Sequence, residues 1–199
     1  MKSLPFDDEI ILENDFVLLR PLVSNDLKHL LPFATKEPTL WEYSNMQAGG
    51  KDKMYEYLIY ALKKRAEKDS YAFLVFDKPK NKYAGSTRFY DYQEENNTVQ
   101  LGFTWYGQEF QGTYVNKNCK NLILEYAFEY LQIERVEFRA DNKNSRSIAA
   151  MKSIGCTVEG VLRSNCSAPN NKRRDSIILS ILKEEWEADK KALLKSKLG

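Results

Sequence analysis

Apolar positions along the chain fall into short β-like runs and longer stretches of helical spacing. The run FVLLRPL (16–22) is rich in β-formers and halts at Pro21, which predicts a first strand. Ser24 then precedes Leu27, Leu30, Leu31 and Phe33, a helical spacing that a serine is suited to cap. Residues 37–50 lack a period and close on Gly49 and Gly50, so they read as a loop. A second helix follows from Asp52, with Met54, Tyr55, Leu58, Ile59 and Leu62 at helical intervals. YAFLVFD (71–77), YAGSTRFYDY (83–92) and TVQLGFTWYG (98–107) are β segments joined by the polar turns KPKNK and QEENN, as in an antiparallel meander.

The second half of the chain changes character. Val115 to Leu131 reads as a helix with Leu122, Ile123, Tyr126, Ala127 and Tyr130 on one face, and ERVEFRA (134–140) as the strand after it. Strand, helix, strand implies a right-handed crossover to a parallel neighbour. Another helix runs from Asn144 to a stop at Gly155. CTVEGVLR (156–163) and RRDSIILSIL (173–182) read as strands around the polar loop SNCSAPNNK, and the tail as a charged helix. The order βααβββαβαββα predicts an α+β fold with one continuous core, residues 1–199 forming a single domain.

Composition narrows the function classes. Hydrophobic residues make up 43%, which excludes a disordered chain, and a net charge of +2 lacks the basic excess of a nucleic-acid binder. Cys119, Cys156 and Cys166 have neither metal-ligand spacing nor an even count, so no metal and no disulfide framework is expected. The N-terminus lacks a signal-peptide core and no apolar run reaches the length of a membrane span. A cytoplasmic protein without membrane attachment is the expectation.

Two stretches carry candidate chemistry. In 98–116 a strand ends at a glycine and re-enters a helix at Gly112–Thr113, a turn whose unpaired N–H groups suit a phosphate, although an ordinary connection punctuated by glycine has the same appearance. It is neither a Walker A loop nor a dinucleotide fingerprint. In 134–163, Asn144 is a natural helix N-cap and Ser147 lies in the first turn near a strand's C-terminal end, where ligands collect. Capping alone also accounts for Asn144.

Taken in order, FVLLRPL, AGSTRFY, VQLGFTW, FQGTYVN, RVEFRADNKNSRSIAAMKSIGC, EGVLR and DSIILSIL resemble the GCN5-related N-acetyltransferase (GNAT) superfamily, most closely the RimJ/RimL branch. The resemblance implies a mixed sheet of about seven strands, antiparallel at first, with a central parallel pair splayed around the cofactor and four to five helices. It implies acetyl-CoA as cosubstrate and direct attack by a primary amine, from a protein N-terminus or a small molecule. Backbone groups of Thr104, Trp105 and Tyr106 would hold the pantetheine arm, and the loop Gln111, Gly112, Thr113, Tyr114, Val115, Asn116 the pyrophosphate. Tyr114 stands where the family has Gly, and Asn116 where it has Gly or Ala.

Catalytic roles follow from the same resemblance. Many relatives donate the thiolate proton from a Tyr whose place here is taken by Met151, so Ser147 is the substitute, with Asn144 orienting the arm. Glu159 matches a position where relatives carry an acid and is the candidate base; an exposed strand carboxylate and a base-free mechanism through water are the alternatives. His29, the one histidine, reads as a surface residue. The acceptor wall is expected from loop 37–50, with Trp41, Glu42, Tyr43 and Met46, from the second helix and from loop 164–172, with Arg88, Arg163 and Arg173 as contacts for an acidic acceptor. A homodimer is compatible with this reading. Met151, Tyr114 and Asn116 also admit an acyl-CoA-binding regulatory module without turnover, and a ribosome-associated binding protein is the third reading.

Overall fold

The computed structural model describes residues 3–168 and 172–198. The strands are β1 (Leu12–Glu13), β2 (Val17–Pro21), β3 (Ser70–Asp77), β4 (Lys82–Gln93), β5 (Thr98–Tyr106), β6 (Arg135–Asp141), β7 (Thr157–Ala168) and β8 (Lys172–Leu182). They form one sheet in the order β1-β2-β3-β4-β5-β6-β8-β7. Every neighbouring pair is antiparallel except β5 and β6. The strand beyond the expected seven is β1, whose two residues pair with Leu18 and Leu19 and are too few to show an alternation. Most of the expected loop 164–172 is strand: β7 runs to Ala168 and β8 starts at Lys172, leaving 169–171 outside the described residues.

The helices are α1 (Leu27–Lys36), α2 (Lys51–Ala66), α3 (Tyr114–Glu125), α4 (Ser145–Ser153) and a C-terminal tail in which α5 (Lys183–Glu185) passes through a π turn, Trp186–Lys190, into α6 (Lys191–Lys195). None among the described residues is long and apolar enough to cross a membrane. Ser24 opens a 3₁₀ turn rather than capping α1. That turn is tied by Asp26, whose carboxylate accepts the Val23 N–H and pairs with Arg20. On α2 the buried face is Met54, Tyr57, Leu58 and Ala61, while Tyr55 and Ile59 are 54% and 43% exposed. Both stripes have helical spacing, and Ala61 is small enough to let the helix settle on β3. α3 widens into a π turn at Tyr126–Tyr130, which buries Phe128 and turns Tyr130 outward, stacked on Tyr126.

The parallel pair fixes the site. β5 and β6 are hydrogen-bonded only over Thr98–Gln100 and Arg135–Glu137, and then part. At the same place β5 bulges: its register on β4 jumps between Trp105↔Ser86 and Gly102↔Arg88, and Phe103 takes φ +48°. The tail closes the other side of the core, with Trp186 fully buried, stacked on Phe128 and donating to Glu129 Oε1 at 2.9 Å.

β4 follows that bulge because Gly85 has no side chain. A Cβ there would stand 2.0 Å from the Trp105 carbonyl oxygen. Gly85→Ala is therefore expected to cost about 3 kcal/mol, the upper end of what overpacking typically costs. Urea unfolding measures it; a loss below about 1 kcal/mol would show that the bulge yields freely.

Candidate active site

The gap between the parted strands opens into a cavity of about 700 Å³. Its walls come from β5, β6, the start of α3, the start and inner face of α4, and the turn after α1. Of the residues singled out from sequence, Thr104, Trp105, Tyr106, Gln111, Gly112, Asn116, Asn144 and Ser147 line it. Thr113, Tyr114 and Val115 are not on its walls.

Each of those three has another task at the α3 N-terminus. Thr113 is the N-cap: its Oγ1 accepts the Val115 N–H at 3.3 Å and donates to Phe110 O at 2.7 Å. Val115 is fully buried in the core. Tyr114 turns away from the cavity, packs its ring on Phe16 and donates its hydroxyl to the buried Asp77 carboxylate at 2.9 and 3.0 Å. Its side chain therefore stays out of the cavity, whose lining in this turn is Gln111, Gly112 and Asn116. Gly112, at φ +72°, makes the turn that aims the α3 N-terminus there.

Gln111 ties the two helix starts together. Its amide donates to Tyr106 O at 2.8 Å, and its Oε1 accepts from Arg146 on α4. Asn144 caps α4, its Oδ1 accepting the Ser147 N–H at 3.0 Å. The turn at Gly112 thus lies near one helix dipole end and one guanidinium, a pairing that suits an anionic group.

Glu159 is placed elsewhere. Arg135 grips both its carboxylate oxygens, Ser180 donates to it at 2.5 Å, and it does not line the cavity. Arg135 holds its carboxyl below the usual range, with Ser180 assisting. Glu137 binds Arg135 and Arg139 in the same network. The carboxylates that do line the cavity are Asp91, which holds Gln100, and Asp141, which accepts the Lys143 N–H.

One end of the cavity is aromatic. Trp41 is buried against Trp105 with ring centres 5.1 Å apart, and Trp105 donates to Tyr57 Oη at 3.2 Å. Tyr43, Asn45 and Cys166 continue this wall. The cationic residue there is Arg174, bonded to Asn45 Oδ1 at 2.7 Å. Arg173 is bound to Ser164, and Arg88 is fully buried beneath Tyr57, Tyr60 and Phe103. His29 lies on α1 against Tyr83, ring centres 4.0 Å apart.

A family model described as an acetyltransferase (GNAT) domain matches residues 17–157. The chain belongs to the GNAT acetyltransferase family. This acetyltransferase is 30% identical to a protein of known structure described as a "putative acetyltransferase" from T. thermophilus, each chain covered completely, with a TM-score of 0.86. It is 33% identical, over 53% of its length and 57% of the other's, to a protein of Bacillus subtilis named "Putative ribosomal N-acetyltransferase YdaF". The match thus spans little more than half of that curated relative. The ribosomal-protein-S5-alanine acetyltransferase of Vibrio fischeri shares the fold, with a TM-score of 0.72 at 16% identity over 89% of this chain and 98% of that one.

One cavity residue has no signal in the sequence. Lys120, on α3, is 5% exposed and lines the gap. Its Nζ donates to Thr104 Oγ1 at 3.0 Å and lies 5.7 Å from the centre of the Phe138 ring. Among the described residues no carboxylate pairs with it. Burial pushes its ammonium down to about 8, against the pull of Cys119 and Cys156. Both thiols are themselves pushed up to about 12 by burial, so they stay neutral and offer no counter-charge.

Such a lysine weighs on the fold. The unfolded chain holds this proton up to the ordinary value of 10.5, the folded chain only to about 8. The cost, about 3 kcal/mol, is therefore present in full below pH 8 and fades as pH rises to 10.5. Lys120→Met should be the more stable protein at pH 7 in urea unfolding, and its advantage should shrink by about pH 10. An equal difference at both values would place the ammonium in water.

Proposed function

We propose that the protein transfers an acetyl group from acetyl-CoA to a primary amine by direct attack in a ternary complex. The observation that carries this reading is the parting of β5 from β6 after three residue pairs, beside a helix N-terminus that opens on the same cavity. Backbone groups of β5 beyond Gln100 on that side have no strand partner in the ladder. An extended amide chain fits them as an added strand, with its diphosphate at Gly112 and Arg146.

Bound acetyl-CoA supplies an activated acyl group. The chain's residues do the rest by position. The turn at Gly112 fixes the anionic end, and β5 aligns the arm towards Trp105 and Tyr57. A β5 backbone N–H near the Phe103 bulge is suited to hold developing negative charge on the acyl oxygen. Ser147 on the α4 wall is suited to solvate the leaving sulfur. The amine's proton passes to water, and the reading gives no role to Glu159, whose carboxylate is engaged by Arg135 and Ser180. The likeness to a relative named for a ribosomal acceptor supports a protein N-terminus, and the aromatic wall of Trp41, Tyr43 and Tyr57 suits a chain entering from that end.

Acetyl-CoA at about a hundred times its dissociation constant should stabilise the protein by about 2.7 kcal/mol, read as a rise in melting temperature. Free-thiol release should appear with peptides bearing free N-termini and stay low with polyamines. Stabilisation without thiol release from any amine favours the regulatory module instead. Ser147→Ala should lower turnover roughly 10- to 1000-fold with little change in acetyl-CoA affinity; unchanged turnover removes Ser147 from the reaction.

A further inference from the structure

A buried ammonium without an anion is costly, and Lys120 is held where that cost is highest, in the gap between the two parted strands. Its partners are one neutral hydroxyl and the face of one ring. The other charged groups on the cavity walls are engaged: Arg139 with Glu137, Asp141 with the Lys143 N–H, Arg146 with Gln111, Arg174 with Asn45, and Asp91 with Gln100. Lys120 alone among them has no charged or amide partner.

The anion that suits Lys120 is not a phosphate. The turn that suits a phosphate, at Gly112, lies just before α3, and Lys120 stands six residues past Tyr114, the first residue of the helix. At ~1.5 Å per residue that is about 9 Å along the helix, away from the turn and into the gap. Met151, also on the cavity wall, has no proton to give. An anion formed transiently in this gap, rather than a resident one, accounts for a lysine kept there unpaired.

Resting on the acetyl-transfer reading above, we propose that Lys120 is the proton donor and counter-charge for the thiolate that acetyl transfer releases from coenzyme A. The new C–N bond forms as the C–S bond breaks, and the electron pair of that bond goes to sulfur. The Lys120 ammonium gives sulfur its proton and becomes a neutral amine. The acceptor's surplus proton leaves to water, and Lys120 is reprotonated from solvent between turnovers. Ser147 keeps a supporting place as a hydrogen-bond donor on the α4 wall.

The test uses coenzyme A with its free thiol, bound to the full-length protein. Ionisation of the bound thiol is followed by ultraviolet thiolate absorbance, with the acetyl-CoA complex as the blank for the protein's cysteines. In wild type the bound thiol should be at least about tenfold more acidic than free coenzyme A. In Lys120→Met that increase should vanish, while acetyl-CoA, which carries a neutral thioester, binds within about threefold of wild type. Lys120→Arg, which keeps the charge but yields no proton, should retain an acidic thiol and lose turnover about 100-fold or more; it also serves should the methionine variant not fold. An equally acidic thiol in Lys120→Met, or a large loss of its acetyl-CoA affinity, overturns the proposal. So does an acetyl group found on Lys120 by mass spectrometry, which would make it a nucleophile. Tight binding with an unshifted thiol sinks only the role of Lys120, whereas failure of wild type to bind either form sinks the acetyl-transfer reading itself.

Discussion

The structure turns on two parallel strands that stop pairing. A sheet obliges each strand to give its backbone groups partners, and β5 pairs on one side with β4 from Thr98 to Tyr106, interrupted by two register shifts. On the other side β6 serves it for three residues and then diverges. Neither strand can close the gap. The bulge at Phe103 bends β5 one way, Gly85 lets β4 follow it, and β6 is held by seven pairings to β8. The divergence is thus built into the sheet on both flanks, and it gives the protein a row of backbone donors and acceptors facing a cavity instead of a strand.

α3 uses that gap in two ways at once. Its start brings Gly112 and Asn116 onto the cavity wall, with Thr113 capping the helix. Its second turn sends Lys120 into the floor. The same helix is anchored from behind, by Tyr114 on Asp77 and by Asn118, which donates to Tyr114 O and to Leu198 O. Anchoring matters because the fold must hold a desolvated ammonium in place. A loosely held α3 would let Lys120 reach water and recover its ordinary acidity.

Much of this was legible in the sequence, for identifiable reasons. The meander β3–β4–β5 announced itself through its polar turns, and the crossover to β6 through the helix between two strands. Gly112 and Asn144 were legible because turns and caps are local chemistry. What escaped depended on distant partners. The stripe Tyr55–Ile59 was as periodic as the one α2 buries, and only β3 decides between them. Glu159 was a candidate base by its match to a family position, and no local pattern announced its partner Arg135, two strands away across Ser180 on β8. Lys120 looked like any helix lysine, since the neighbours that bury it, Thr104 and Phe138, come from two strands whose separation no local pattern encodes.

The aromatic end of the cavity and the parted strand β5 are mechanically one body. Trp105 sits on the unpaired stretch of β5, yet its ring packs on Trp41 from the loop after α1, on Phe33 from α1 and on Tyr57 from α2. Movement of the loop after α1 therefore acts on the same strand that faces the gap, through rigid rings that cannot bend to absorb it. Tyr43, Asn45 and Arg174, also on the cavity wall, stand outside this aromatic joint and can change without disturbing it. In this protein the cavity mouth can vary because β5 is held one layer deeper, by four aromatic side chains from α1, the loop after it, α2 and β5 itself.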